Sequence, residues 1–311
     1  MDLPRFVFAC FVIFTSLYSL SIYSQSLDNS PLSKLAGNKS PDFGIAFIHG
    51  NNDHRSDAEG IYWKKEFINT LTSVLPKPEN YFVVACDYSH YMWHEDAAGC
   101  TATQLLSFIK NNHISKLKIY THSEGANVIR WILSNPTYDP RYLQLSKRVA
   151  EVIALSPSSG GTPLAEEVVE GNLFEASVSW LIGYLNDGVR QQRVLDMAIY
   201  NNELLFGSLG RPSLSVPFRV IIGTDVTASP LNGASYCNGY RYNAGLKVTK
   251  LYLDKCADGF IECISQRSVG TVWFYDIQKT EHNNALSHNQ SRHNCFGLDM
   301  ILSQDLANGV A

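Results

Sequence analysis

The sequence predicts an α/β fold with a mainly parallel sheet that helices cover on both faces. Three observations support this fold class. Short apolar runs alternate along the chain with longer segments of helical periodicity. The runs are apolar along their whole length, which is typical of strands buried on both faces. The chain of 311 residues, 45% of them hydrophobic, is long enough to form one large core.

The elements can be placed in chain order. The predicted strands are residues 43–48, 81–87, 117–120, 149–155, 218–224 and 271–277. The predicted helices are residues 62–75, 103–114, 126–135 and 296–306, and prolines at 76 and 136 end two of them. Ligands of such sheets bind at the carboxyl ends of the strands, so residues that directly follow a strand are the candidates for chemistry.

Residues 165–217 interrupt this alternation. Apolar residues between 173 and 200 have helical spacing, and the length of the segment suits a cap or lid over the site. Ordinary packing of these helices against the sheet explains the pattern equally well. Both interpretations stay open on the sequence alone.

The first 26 residues form a separate segment. Arg5 precedes an apolar run at 6–23, and the small residues Ser24 and Ser26 follow it. This layout is typical of a secretory signal peptide cleaved near Ser26, and an uncleaved membrane anchor is the alternative. We therefore expect one domain over residues 27–311, in a secreted or periplasmic protein.

Six cysteines remain after that cleavage. An even count in an exported chain indicates disulfides, and the absence of a C-x-x-C pair argues against a zinc site. Cys86 and Cys100 are expected to bridge one loop. The sequence does not determine the pairing of the other four, Cys237, Cys256, Cys263 and Cys295.

The composition also bears on partners. The formal net charge is -4, and no basic stretch is present. Nucleic-acid binding usually requires a basic surface, so we expect no nucleic-acid partner.

One strand runs directly into one helix at Ser123. The β-prone run 117–120 precedes it, and from Ala126 apolar residues recur at helical spacing as far as Pro136. A serine in a tight strand-to-helix turn presents its hydroxyl outward, at the positive end of the new helix. Gly125 leaves room for that helix to pack close to the strand.

This corner resembles the nucleophile elbow of the α/β-hydrolases, although Thr121 stands where the family pattern has glycine. Further landmarks follow the order of that family: His49-Gly50-Asn51 after the first strand, then Gly161-Thr162-Pro163, Asp258-Gly259 and His288. The resemblance is to secreted, bacterial-lipase-like members of the lipase and esterase type, and it covers residues 43 to about 305. It implies an α/β-hydrolase fold and a serine mechanism with Ser123 as nucleophile.

The resemblance also implies two oxyanion donors. The first is the backbone N–H of Glu124, the residue after the nucleophile. The second is the N–H of Asn51, because the family's His-Gly loop supplies it. Gly50 would let the backbone turn that amide into the pocket.

Two aspartates fit the acid of the triad. Asp225 follows the strand at 218–224, where many α/β-hydrolases place their acid. Asp258 lies between Cys256 and Cys263. It resembles the acid in the Asp-Gly-Leu-Val loop of bacterial secreted lipases, where a cysteine also follows the acid closely. We favour Asp258, because a disulfide there would hold the loop rigid. Asp225 is the alternative.

The family order Ser, Asp, His requires a histidine after Asp258. His282, His288 and His293 qualify. His288 begins the sequence His-Asn-Gln-Ser-Arg, which resembles the surroundings of the catalytic histidine in lipase-like relatives. We therefore favour His288 as the base, with His293 as the alternative and His282 behind both.

The implied activity is hydrolysis of carboxylic esters, small-molecule or lipid, with no cofactor and no metal. Transient contact with a lipid surface would accompany a lipid substrate. The alternatives are an acyltransferase or amidase on the same fold, and a non-catalytic hydrolase-fold protein that binds lipid or a partner. His90 and His94 could bind a metal together with Asp96. We favour instead an aromatic rim around the substrate, formed by the loop 87–100 with Tyr88, Tyr91 and Trp93.

Overall fold

The computed structural model describes residues 42–171 and 185–310. The proposed signal peptide and residues 172–184 of the proposed lid lie outside the described residues. In the described part of the chain, no helix is both long and apolar enough to span a bilayer.

Six parallel strands form the central sheet, in the order β3-β1-β5-β6-β7-β8. They are β1 (Phe43–Ile48), β3 (Tyr81–Val83), β5 (Lys116–His122), β6 (Val149–Leu155), β7 (Phe218–Ile222) and β8 (Thr271–Tyr275). Two short strands, β2 (Asn52–Asp53) and β4 (Asp87–Tyr88), pair antiparallel beside it. The predicted parallel sheet is therefore confirmed.

Helices cover both faces of the sheet, as predicted. Phe67 of α1 and Leu302 of α10 pack on one face, and Phe108 of α2 and Ile129 of α3 pack on the other. The helices are α1 (Lys65–Thr72), α2 (Cys100–Asn111), α3 (Gly125–Ser134), α4 (Pro140–Ser146), α5 (Pro163–Val169), α6 (Asp187–Gln191), α7 (Val194–Glu203), α8 (Tyr240–Thr249), α9 (Cys263–Gln266) and α10 (Leu298–Val310).

The predicted strand 81–87 is shorter than expected. After Val83 the chain leaves the sheet, because the side chain of Gln104 takes both backbone bonds of Ala85, accepting from its N–H at 3.0 Å and donating to its carbonyl at 2.8 Å. Asp87 and Tyr88 then pair with β2 instead. A side chain distant in the sequence therefore ended this strand.

Helix α8 was not predicted. Its buried residues are Asn243, Leu246 and Thr249, so two of the three positions facing the interior are polar. Asn243 is held there by carbonyl acceptors on Ser235 and Cys237. Such a helix has no apolar periodicity for a sequence analysis to detect.

The described part of the 165–217 segment packs against the sheet-and-helix core. Met197 of α7 and Leu205 are fully buried in the same cluster as α3. Leu195 and Ile199 of α7 remain largely exposed. The lid stays a prediction, because residues 172–184 of the predicted segment lie outside the described residues.

Three disulfides are formed. The expected Cys86–Cys100 bond is present, and the pairs left open by the sequence are Cys237–Cys295 and Cys256–Cys263. The last pair brackets the proposed acid loop. The Cys237–Cys295 pair ties the region before α8 to the start of α10.

A buried ion network lies toward the amino ends of the central strands. Lys118 of β5 contacts Glu151 of β6 at 2.9 Å and Asp305 of α10 at 2.7 Å. Arg219 of β7 binds the same two carboxylates and lies 4.2 Å from the ring centre of Trp273. Two cations and two anions therefore balance one another inside the fold.

Candidate active site

Ser123 occupies the sharp turn between β5 and α3. Its φ of 55° lies in the left-handed region, which non-glycine residues rarely adopt. Gly125 permits the turn, because a Cβ there would lie 2.1 Å from the carbonyl oxygen of His49. Thr121, where the family pattern has glycine, is fully buried and fits. The backbone is that of a nucleophile elbow.

His288 lies between Ser123 and Asp258. Its Nε2 is 3.0 Å from Ser123 Oγ, and its Nδ1 is 2.8 Å from Asp258 Oδ2. A carboxylate accepts only, so Nδ1 carries the proton and Nε2 is free to accept one from the serine. Ser123 is 5% exposed and Asp258 is fully buried, so the three groups meet at the base of a cleft.

The acid is fixed by its own loop. Asp258 Oδ1 accepts from the N–H groups of Phe260 at 2.8 Å and Ile261 at 2.7 Å. The backbone N–H of His288 donates to the Asp258 carbonyl at 2.8 Å. These bonds, together with the Cys256–Cys263 disulfide, set the direction of the carboxylate toward the imidazole.

The Gly161-Thr162-Pro163 landmark braces the same loop. Thr162 Oγ1 donates to the carbonyl of Phe260 at 2.6 Å. Its side chain also caps α5 by accepting from Leu164 N. The role of this landmark in the described structure is to hold the acid loop in place.

The alternative acid and base lie elsewhere. Asp225 is half exposed and binds Lys250 at 2.6 Å. His293 is buried, and burial holds its pKa well below the usual value. His282 is exposed. Of the candidates, the structure brings only Asp258 and His288 to Ser123.

The two proposed oxyanion donors flank the serine. Glu124 is the N-cap residue of α3, so its N–H lies at the positive end of that helix. Gly50 approaches so closely that a Cβ on it would lie 2.9 Å from Ser123 Cβ. Asn51, the next residue, lines the same cavity as Ser123.

A hydrogen-bonded chain links the loop of Gly50 to the loop of His288. Gly50 N–H donates to Tyr62 Oη at 2.7 Å, and Tyr62 Oη donates to His122 Nδ1 at 2.5 Å. His122 Nε2 donates to the carbonyl of His288 at 2.8 Å. Burial holds the pKa of His122 well below its usual value, which keeps it neutral in this chain. These two hydrogen bonds give His122 a structural role.

His49 is also buried in the neutral form. Its Nδ1 donates to the Gly50 carbonyl at 2.7 Å, and its Nε2 accepts from Cys86 N–H at 3.3 Å. Burial is the main reason that its pKa falls to about 3. This histidine shapes the oxyanion loop without adding charge to the site.

Sequence reasoning missed the environment of the Glu124 side chain. It is fully buried and accepts from the side-chain amides of Gln191 and Gln192. Burial raises the pKa of Glu124 well above its usual value, so the carboxyl is held neutral next to Ser123. A negative charge there would oppose an oxyanion, and its neutralisation removes that conflict. No local sequence signal marks the two glutamines.

The cavity above Ser123 has a volume of about 170 Å³. Phe260 forms one wall and stacks on His288 with ring centres 4.9 Å apart. Leu246 of α8 extends this apolar side, and Arg292 and Tyr62 line another part of the cavity. Sequence reasoning missed Tyr62 and Arg292 as site residues, although Arg292 belongs to the motif that identified His288.

The loop between β4 and α2 gathers three side chains of types that can bind a metal ion. Atoms of His90, His94 and Asp96 lie within 4.8 Å of one another. The two imidazoles are stacked 4.2 Å apart with 15° between their planes. His94 Nδ1 also accepts from Asp96 N–H.

Comparison with solved structures supports the fold. The chain is similar to the Bacillus licheniformis lipase BlEst2 in its mature form, with a TM-score of 0.61 and 16% identity over 85% of this chain and 91% of that one. The propeptide form of BlEst2 gives a TM-score of 0.54 and 16% identity over 81% of this chain and 47% of that one. No protein-family model and no curated protein matches the sequence. The chain has an α/β-hydrolase fold.

Proposed function

We propose that the protein is a serine hydrolase of carboxylic esters. The observation that carries this proposal is the continuous contact from Ser123 Oγ through His288 to Asp258, at 3.0 and 2.8 Å. The similarity to a structure described as a lipase supports the same class of substrate.

In the first step, His288 Nε2 takes the proton of Ser123 as the hydroxyl attacks the ester carbonyl. Asp258 holds the imidazole in the required tautomer and stabilises its positive charge. The backbone N–H groups of Asn51 and Glu124 are proposed to bind the oxyanion. The imidazolium then gives its proton to the leaving alcohol, and an acyl-enzyme remains on Ser123.

In the second step, His288 removes a proton from water, which attacks the acyl-enzyme. The same amides bind the second oxyanion, and Ser123 regains its proton as the carboxylic acid leaves. The described cavity is about 170 Å³, close to the roughly 150 Å³ of an engineered apolar cavity that binds benzene, so its size favours esters with a short acyl group.

The test uses p-nitrophenyl butyrate as substrate. Ser123→Ala should lower kcat at least about 10⁴-fold while the circular dichroism and melting temperature stay near those of the wild type. Ser159→Ala is the matched control, because it removes another buried hydroxyl at the same edge of the sheet. Retained turnover in Ser123→Ala would exclude Ser123 as the nucleophile.

A fluorophosphonate probe separates this proposal from its rivals. An active serine hydrolase should be labelled at Ser123, whereas a non-catalytic lipid-binding protein should remain unlabelled. Amide and alcohol-acceptor substrates compared at equal concentration would then separate an esterase from an amidase or an acyltransferase.

We also propose that the protein is exported. Support comes from the three disulfides, which form in oxidising compartments, and from the signal-like residues 1–26. Amino-terminal sequencing of the mature protein should begin just after Ser26. A mature chain that starts at Met1 would contradict cleavage.

A further inference from the structure

The cavity above Ser123 contains an arginine whose recorded partners in the described structure are all neutral. Arg292 donates through Nη1 to the Tyr62 carbonyl and through Nη2 to Asn289 Oδ1. Its Cζ lies 3.9 Å from the ring centre of Tyr62. A guanidinium has five N–H donors, and these two contacts use two of them.

No carboxylate of the described residues forms an ion pair with Arg292 at 4.0 Å or less. Burial lowers the pKa of Arg292. Asp57 is the one carboxylate among the groups that oppose this shift, and it follows Tyr62 and Tyr242 in size of effect. Asp57 Oδ1 is itself bound to His54 Nδ1 at 2.7 Å. The described residues that line the cavity include neither Asp nor Glu. The cavity wall therefore carries a permanent positive charge.

Neutral partners alone do not make an arginine a binding group. Arg130 is fully buried and also binds neutral acceptors, the Phe206 carbonyl and Asn201 Oδ1. Arg130 is not among the residues that line the cavity of Ser123. Arg292 differs because it lines the same cavity as the proposed nucleophile.

The position of Arg292 relative to Ser123 follows from Tyr62. The Tyr62 ring lies against the guanidinium, and its hydroxyl binds His122, the residue before the nucleophile. The bonds from Tyr62 and Asn289 hold the guanidinium in place before any substrate arrives. Arginine matches planar oxyanions through paired N–H donors, and desolvation strengthens such contacts.

We propose that Arg292 forms an anion subsite in this cavity and that the preferred substrates are short esters bearing an oxyanionic group, a carboxylate or a phosphate, a few bonds from the scissile carbonyl. This inference rests on the proposed esterase function and narrows its substrate class. Arg292 contacts the anionic group, and Tyr62 and Asn289 are positioning residues.

The competing explanation is that Arg292 only braces the loop of His288. In that case its loss would displace the base and slow every ester equally. A subsite makes a different prediction, because only esters with an anionic group lose binding. The ratio of kcat/KM for an anionic and a neutral ester therefore separates the two roles.

The experiment compares mono-p-nitrophenyl glutarate with its methyl-capped neutral counterpart. The wild type should prefer the anionic ester by about 10- to 100-fold in kcat/KM, the range expected of hydrogen bonds to a charged group. Arg292→Gln should abolish this preference, mainly by raising KM for the anionic ester. Arg292→Lys should keep part of it, because the charge remains without the paired donors.

Arg241→Gln is the matched control. Arg241 is an exposed cation on α8, next to Tyr242 at the cavity wall, so its loss changes the net charge of the region equally. It should keep the wild-type preference. A preference lost equally in Arg241→Gln and Arg292→Gln would overturn the subsite and indicate a general surface potential.

Inhibition of neutral-ester hydrolysis supplies a readout without any variant. Glutarate or glycerol phosphate should inhibit the wild type competitively, whereas the neutral glutaramide should not inhibit. The stronger of the two inhibitors shows whether the subsite prefers a carboxylate or a phosphate. If Arg292→Gln does not fold, two results still test the subsite. They are this inhibition of the wild type and the ratio of kcat/KM for the anionic and neutral esters in Arg292→Lys. Neutral-ester hydrolysis with no anion preference and no inhibition would refute the subsite alone, whereas failure to hydrolyse either ester would refute the proposed function.

Discussion

Toward the amino ends of the central strands, Lys118, Glu151, Arg219 and Asp305 are charged and paired with one another. At the carboxyl ends of the same sheet, the buried titratable groups around Ser123 are largely neutral. The comparison shows two solutions to the cost of burying charge, ion pairing and neutralisation.

The two ends of the sheet differ in charge because they have different roles. Ion pairs at the amino end bind the strands to α10 and need no further partner. A reaction that creates an oxyanion and an imidazolium needs surroundings free of competing charge. The neutral forms of His49, His122 and Glu124 meet that need, and they leave Arg292 as the permanent charge at the described cavity wall.

The largest expected effect is a loss of activity, from a substitution at the carboxyl end of the sheet. Asp258→Asn should lower kcat for p-nitrophenyl butyrate about 10⁴-fold, because the amide favours the wrong tautomer of His288. Asp225→Asn, in the alternative acid, should change kcat less than about twofold, since that side chain binds Lys250 at the surface. If Asp225→Asn lowered kcat by the larger factor instead, Asp225 rather than Asp258 would be the acid of the triad.

The second prediction is a loss of stability, from a substitution in the ion network at the amino end of the sheet. Glu151→Gln leaves Lys118 and Arg219 with Asp305 as their one remaining acid, so the unfolding free energy should fall by about 3–5 kcal/mol. Urea denaturation measures this change. Activity per folded molecule should stay at the wild-type level, and a selective loss of kcat would show that the two ends are coupled.

A matched control for that variant is Asp187→Asn. Its carboxylate forms an exposed pair with Arg190 at 3.3 Å. Such pairs contribute about 0–1 kcal/mol, so urea denaturation should detect little change. Equal losses in the two variants would contradict the assignment of the stability to burial.

The smallest expected effect is on the stability of the protein at acid pH. Burial lowers the pKa of His293 below its unfolded value near 6.5, so the unfolded state binds more protons and stability falls as pH drops below that value. Below pH 6.5, His293→Gln should make the pH dependence of the unfolding free energy shallower, by at most about 1.4 kcal/mol per pH unit. Glu124, whose pKa is raised, opposes this trend in both proteins, because its stabilising contribution is lost as pH rises.

Urea denaturation at several pH values supplies the measurement. Below pH 6.5 the unfolding free energy of the wild type should fall more steeply with decreasing pH than that of His293→Gln. Parallel pH profiles would show that His293 is not neutral in the folded protein.

Local patterns in the sequence determined most of the fold. Strands β1 and β6 lie where the apolar runs predicted them, because a strand buried on both faces is readable from a few consecutive residues. The elbow at Ser123 was likewise readable, since strand, turn glycine and helix are adjacent in the chain. The resemblance to secreted hydrolases added the order in which Asp258 and His288 follow.

Tertiary structure alone decided the rest, because the deciding contacts join residues far apart in the chain. Gln104 ended the third strand, polar partners buried α8, and Gln191 with Gln192 neutralised Glu124. The charge of Arg292 became significant only when folding placed it in the wall of the cavity that Ser123 also lines, with no carboxylate paired to it in the described residues. A sequence shows which groups are present, and only folding determines which of them lose water and which find a partner.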